Sequence, residues 1–409
     1  MKFALNRATR EAEMKTTSGT TQSEFSLVQG GLLFQTCRRA HLSGEGMERL
    51  TRRVLVVTLF VWLPLLFLSM LDGHAFGGAI KIPFAHDVEA NVRFLIALPL
   101  LIIAEVTVHH RLGSAVRKFV ERCIVVKEDV PRFDAAVIST LRKRNSFTLE
   151  ILLLVLAYTL GLWIWRSQVA LGTATWYASP DAEHVHLTLA GYWYAYVSIP
   201  IFQFILLRWY MRLVLWFRFL WQVSRLDLRL SAAHPDLAGG IGFLGRSSYS
   251  FGPFLFAQGA LLSGVIASRV LYDGQTLQSF KMEAAACTGF FLLFVLGPLV
   301  MFTPHLVRAQ RKGRSKYGLL ANRYVFGFEE KWLQDKGPAT SELLGTSDLQ
   351  ALADLGNSYA VVRRMRLVPF GLADVTRLAY VTAAPLLPLA LTIIPLEQLL
   401  TRLIKILFL

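Results

Sequence analysis

Charge is scarce in this sequence. Only 17% of its 409 residues are Asp, Glu, Lys or Arg, against roughly 25% in an ordinary soluble domain. With 54% hydrophobic residues and a mean hydropathy of +0.45, this shortage excludes a soluble globule. It indicates a membrane protein of several spans. Cysteine is equally rare. Cys37, Cys123 and Cys287 show no pairing or zinc-type spacing, and none falls in a predicted outer loop, so no disulfide framework is expected. A Walker loop, a nucleophile elbow, a kinase signature and a His-x-x-x-His pair are all missing. No metal or cofactor is therefore expected, and enzymes are the least favoured function class.

What is present is a set of long apolar runs. Seven spans are predicted, at 54–71, 94–108, 147–165, 189–207, 251–271, 285–303 and 378–395. The first, "VLVVTLFVWLPLLFLSML", would reach about 27 Å as a helix, close to the hydrocarbon thickness of a bilayer. The expected fold is an all-α, polytopic transmembrane bundle with a cytoplasmic N-terminus.

The net charge of +15 is explained by placement and not by nucleic acid. Nine Lys and Arg precede the first span, nine lie between spans two and three, six follow span four, and twelve lie between spans six and seven. Lys81, Arg93, Arg166, Arg269 and Lys281 fall on the other side, with Arg402 and Lys405 in the tail. Basic residues collect in cytoplasmic loops, which orients the bundle.

The chain divides into four parts on this reading. Residues 1–46 are polar, with a "TTSGTTQS" patch, and are expected to be disordered. The stretch "MERLTRRVLVVTLF" from Met47 has the form of a membrane-protein start, a basic flank followed by a span. Residues 47–303 form a six-span domain with cytoplasmic amphipathic loops, and 109–146 is expected to hold two short basic helices at the membrane surface. Residues 304–377 form a basic cytoplasmic helical segment, with a helix capped at Ser347 or Asp348. Residues 378–409 add a seventh span and an interfacial C-terminal helix.

Three groups of polar residues are candidate sites. Glu105 lies near the cytoplasmic end of span two, with His109 four residues on along the same face. His109, His110 or Arg111 is its expected partner. Glu150 opens span three at a similar depth, so Glu105, His109 and Glu150 are candidates for an ion or proton path. Past span four, Arg208, Arg212, Arg218, Arg225 and Arg229 fall within one helical arc with Trp209, Trp216, Phe219 and Trp221 between them. They are candidates to hold lipid phosphates at headgroup depth. The third group is the loop "HPDLAGGIGFLG", residues 234–245. His234 and Asp236 are its polar candidates, and Gly239, Gly240 and Gly242 permit backbone shapes closed to other residues. No second metal ligand accompanies the His and Asp, and a phosphate loop would need a Lys and a preceding strand.

The loop, together with "PLLPLALTIIPLEQLL", resembles an uncharacterised family of bacterial polytopic inner-membrane proteins with an HPDxAGG-type cytoplasmic loop. The likeness runs from about Met47 to the end. It implies a bacterial inner-membrane location and carries no activity. The tripeptide His-Pro-Asp is also similar to the J-domain cochaperone signature, but the "LAGG" that follows departs from it. The leading expectation is a channel or transporter-like protein for an ion or small solute. The alternative is a signalling, sensory or assembly factor that docks anionic lipid headgroups or a protein partner through its basic segments. A homo-oligomer is a further possible partnership. The third is a lipid-acting enzyme with His234 and Asp236 as acid and base.

Overall fold

The computed structural model describes residues 25–28, 30, 50–77, 80–161, 163, 175–180, 185–333 and 347–392. The chain is a helical membrane-type bundle. Five runs of helix are long and apolar enough to cross a bilayer: α1 (Leu50–Leu71), α2 (Val88–Glu121), then α5 (Leu189–Val223), α6 (Phe243–Tyr272) and α7 (Leu277–Trp332). Between α2 and α5 lie α3 (Val130–Arg144) and the shorter apolar α4 (Phe147–Thr159).

The orientation of side chains in α1 shows why a membrane is needed. Its buried residues are Arg53, Thr58, Val61, Leu65 and Ser69, one stripe at helical spacing. The remaining face exposes Leu55, Leu59, Phe60, Leu63 and Phe67. Phe147, Ile151, Leu152, Leu154 and Val155 of α4 are likewise exposed. In water such a surface would be an aggregation hazard; in lipid it costs nothing.

Prolines shape the bundle without breaking it. Residues Val92–Ala97 of α2 and Tyr194–Ser198 of α5 are wound as wide π turns. Pro99 and Pro200 follow them directly. A proline ring clashes with the carbonyl four residues back, and here those carbonyls, on Leu95 and Tyr196, lie inside the widened turns. The wide turn relieves the clash while the helix continues.

The end remote from most basic residues is closed by a small lid. A short antiparallel pair, β1 (Ala178–Pro180) and β2 (Val185–Leu187), is the one sheet among the described residues. Trp176 beside it is fully buried against Phe84 and Tyr194, and its indole donates to Asp87 at 2.9 Å. Asp87 also caps α2 through the Ala90 amide. Burial pushes the Asp87 carboxyl above the usual range despite these bonds.

Several boundaries differ from the sequence expectation. The stretch 113–121 is no separate surface helix; it continues α2. The boundary set at 303/304 falls inside α7, which runs on as helix to Trp332. The helix expected near Ser347 is present as α8 (Asp348–Arg364) and packs on α7. Ser347 is its N-cap residue, but the Ser347 side chain makes no capping bond. The Asp348 carboxylate instead receives Lys331 and Trp332 of α7.

The expected seventh span begins as α9 (Leu372–Ala383), which packs on α6 and α7. Gly259 of α6 makes this contact close, since a Cβ there would overlap the Thr382 carbonyl. From Ala384 the chain tightens into a 3-10 stretch through Pro385 and Pro388 to Thr392. The expected C-terminal interfacial helix lies outside the described residues.

The expectation of disorder over 1–46 fails for Phe25–Val28, and most of the segment lies outside the described residues. Phe25, Ser26, Leu27 and Val28 are each buried to 1% exposure. Phe25 packs against Phe219 and Trp216 at ring separations of 5.3 and 6.4 Å. They join an aromatic cluster of Phe119, Phe133 and Phe243 that ties α2, α3, α5 and α6 together at the basic end.

Candidate functional site

The two acidic residues predicted inside the membrane are buried, but neither meets His109 or its neighbours. Glu105 of α2 is bound from two sides by arginines. Arg212 of α5 donates to one carboxylate oxygen at 2.7 Å, and Arg53 of α1 donates to the other. Arg212 also stacks over the Trp209 ring, 4.9 Å from its centre. Glu150 of α4 lies 3.6 Å from Arg208 of α5. The expected pairing of Glu105 with His109, His110 or Arg111 is therefore corrected: its partners are guanidiniums that reach across from α1 and α5 to one carboxylate oxygen each.

The N-terminal segment closes this cluster from the basic end. The Gly30 carbonyl accepts from Arg208 at 3.4 Å, and the Ser26 carbonyl accepts from Arg144 of α3. His109 spends its Nδ1 on the Ser26 hydroxyl at 2.8 Å. Burial, with help from the charge of Arg212, pulls the Arg144 guanidinium down to about 10. Arg53, Arg208 and Arg212 outnumber the two carboxylates they face. What the sequence presents as an acidic site is, in space, an arginine-dominated one.

The five arginines of α5 and its extension consequently divide. Arg208 and Arg212 are buried and paired, so they are not free for headgroups. Arg218 is half-buried. Arg225 is exposed and lies over Trp221 at 5.2 Å, and Arg229 is exposed in the loop beyond. Of the five, only the last two are exposed.

The glycine-rich loop is organised around its own aspartate. Asp236 Oδ1 accepts from the amides of Ala238 at 2.8 Å and Gly240 at 3.1 Å, and Oδ2 accepts from Gly242 at 2.8 Å. Successive amides converging on one point form an anion nest; here the chain fills the nest with its own carboxylate. Burial pushes the Asp236 carboxyl up, but the three amides and His234 outweigh it and hold it below the usual carboxylate range. Gly242 is required because a Cβ would stand 2.9 Å from Asp236 Oδ2, and Gly240 because its φ is +101°. Arg366 clamps the loop from beyond α8, its amide donating to the Leu237 carbonyl at 2.7 Å and its side chain to the Asp236 carbonyl at 2.8 Å.

The Asp236 amide donates to His234 Nδ1 at 3.2 Å, and Asp236 Oδ1 lies 2.8 Å from the same nitrogen. The pair has the form of an oriented imidazole, yet among the described residues Ser231 makes no side-chain hydrogen bond to it. Asp236 thus has a structural task, and the proton-transfer reading of the loop has a base without a nucleophile.

No family model, curated protein or solved structure matches this chain.

Two clefts open at the basic end, flanking the last turns of α2. One, of about 400 Å³, is lined by Arg111, Lys118, Arg122 and Arg246, with Phe243 and Tyr249 as its aromatic walls. Lys118 and Arg122 both lie over the Phe243 ring, at 5.8 and 5.6 Å. The other, of about 550 Å³, lies beside the glycine-rich loop, with His234, Gly239 and Gly240 on one wall and Lys312 and Lys316 of α7 on the other. Neither lining contains an Asp or Glu. Among the described residues no group of three or more His, Cys, Asp or Glu is placed to hold a metal. Sequence reasoning missed Arg53, Arg144 and Arg366, which read as flanking charges. It also missed Arg122, Arg246, Lys312 and Lys316, which read as surface.

Proposed function

We propose that the protein is a multi-pass inner-membrane docking factor that recruits anionic headgroups or an acidic partner to its cytoplasmic face. On this reading α4 and the 372–392 stretch cross with the five long helices, making seven spans, and the basic end faces the cytoplasm. One contrast carries the proposal. At membrane depth Glu105 is bound by two arginines and Glu150 lies 3.6 Å from a third, whereas the clefts at the basic end present cations without carboxylates. Conduction by way of Glu105 and Glu150 would require those ion pairs to open for each ion, at a cost of several kcal/mol in a low-dielectric interior. The contacts of Asp236 likewise favour docking over lipid chemistry.

The test uses purified full-length protein in liposomes. Docking predicts no cation or proton flux above empty vesicles. It also predicts retention of phosphatidylglycerol or cardiolipin in native mass spectra, falling several-fold when Lys118→Gln and Arg246→Gln are combined. Flux above background would return the reading to a channel or transporter.

A further inference from the structure

The cleft beside the glycine-rich loop is organised as a binding site. Its cations come from three separate parts of the chain: Arg122 ends α2, Arg229 lies in the loop after α5, and Lys312 and Lys316 stand one turn apart on α7. All four are exposed. None forms an ion pair among the described residues, although seven pairs of Arg or Lys with a carboxylate do form there. Converging like charges repel, and a fold that holds them together without an acid leaves an anion as the natural counterpart.

The walls are fixed rather than loose. The Arg229 amide donates to the Ile124 carbonyl at 2.7 Å, and Val125 bridges Leu228, so the two arginine-bearing segments are stitched together. Gly313 lets α7 press against Ala232, where a Cβ would collide with the alanine methyl. On the loop wall, Asp236 anchors His234 by Nδ1, leaving Nε2 near Gly240 at the cleft. Half-buried Tyr317 adds a flat apolar surface. The volume of about 550 Å³ lies within the range of small-molecule sites, about 300–1,000 Å³.

We infer that this cleft binds a phosphate ester of charge −2 or more, held by Arg122, Arg229, Lys312, Lys316 and His234 with its organic part against Tyr317. Arginine forks and lysine point charges are the side chains that recognise phosphate. The ester is either a soluble phosphorylated molecule or a lipid headgroup entering from the membrane edge. This inference rests on the docking reading and narrows it to one cleft and one chemistry.

Full-length protein in an uncharged detergent is titrated with inorganic pyrophosphate, with ADP and with water-soluble dihexanoyl phosphatidic acid. One saturable site per chain is expected. Combining Lys312→Gln with Lys316→Gln should weaken binding at least tenfold, and Arg229→Gln serves as a second, independent variant should the first fail to fold. The charge-matched pair Arg314→Gln with Arg323→Gln, outside the cleft on α7, should change affinity less than twofold. Tighter binding of ADP identifies a soluble ester, with pyrophosphate reporting the charge contribution alone; tighter binding of the phosphatidic acid identifies a headgroup. Absence of saturable binding by all three probes overturns the inference. So does indifference to the cleft variants, or an equal loss in the charge-matched pair, which would mean diffuse attraction only. Intact probe binding with no lipid selectivity at the Lys118 and Arg246 groove would instead sink the broader docking reading and leave this site standing.

Discussion

Glu105 and Asp236 are both held carboxylates, and they are held by opposite means. Glu105 is neutralised by charged side chains from two other helices, Arg53 and Arg212, far away in sequence. Asp236 stays charged and is stabilised by uncharged amides no more than six residues away. The first arrangement staples spans together. The second shapes a loop from within, and Arg366 clamps that loop from beyond α8. A long-range ion cluster fails as a unit, whereas a local nest fails by degrees.

The largest effect should come from breaking the first arrangement. Glu105→Ala leaves two buried guanidiniums facing each other, and removing one partner of a buried pair costs about 3–5 kcal/mol. Denaturant unfolding in detergent, or the yield of folded protein, would register it. If Glu105→Ala unfolds like wild type, the staple is not what joins α1, α2 and α5.

Phe25→Ala should cost somewhat less, about 2–3 kcal/mol, below the usual range for a buried aromatic because a short segment can detach alone. Faster proteolytic loss of the Phe25–Val28 segment, with the bundle intact, is the expected readout. In the loop, Gly240→Ala places a side chain at φ +101° and should cost about 1–2 kcal/mol. Asp236→Asn, which keeps one acceptor oxygen, should fall in the same range of about 1–3 kcal/mol.

Acid sharpens the comparison. The folded Asp236 carboxyl is held below its unfolded value, so its contribution is present above the unfolded pKa of about 4 and is lost as pH falls through the folded value. Wild type should therefore lose stability on acidification below about pH 4, and Asp236→Asn should lose less over the same interval. Identical acid slopes would argue against the nest. The smallest effect should be that of Arg225→Ala, whose stacking on Trp221 is exposed and worth about 0.5–1 kcal/mol.

Much of the bundle was legible before any coordinates. The apolar runs marked the five long helices because lipid demands continuous helix in which every backbone bond is satisfied internally. The loop's glycines were legible as backbone devices, since the requirement is local. The partners of Glu105 were not. Periodicity places His109 on the same face as Glu105, but it cannot say that α1 and α5 bring Arg53 and Arg212 to it. Phe25–Val28 were invisible for a related reason: four residues in a polar tract have no period, and Phe25 finds its place only against Trp216 and Phe219.

That placement also sets an order of events during biogenesis. Phe25 and Ser26 leave the ribosome long before their sockets on α3 and α5 have been made. They must wait, unseated, until Arg144 and Phe219 have been synthesised and α5 has settled in the bilayer. Phe25 and Ser26 thus take their position only after α5 has formed, and their seating would mark a domain whose α3 and α5 have come together.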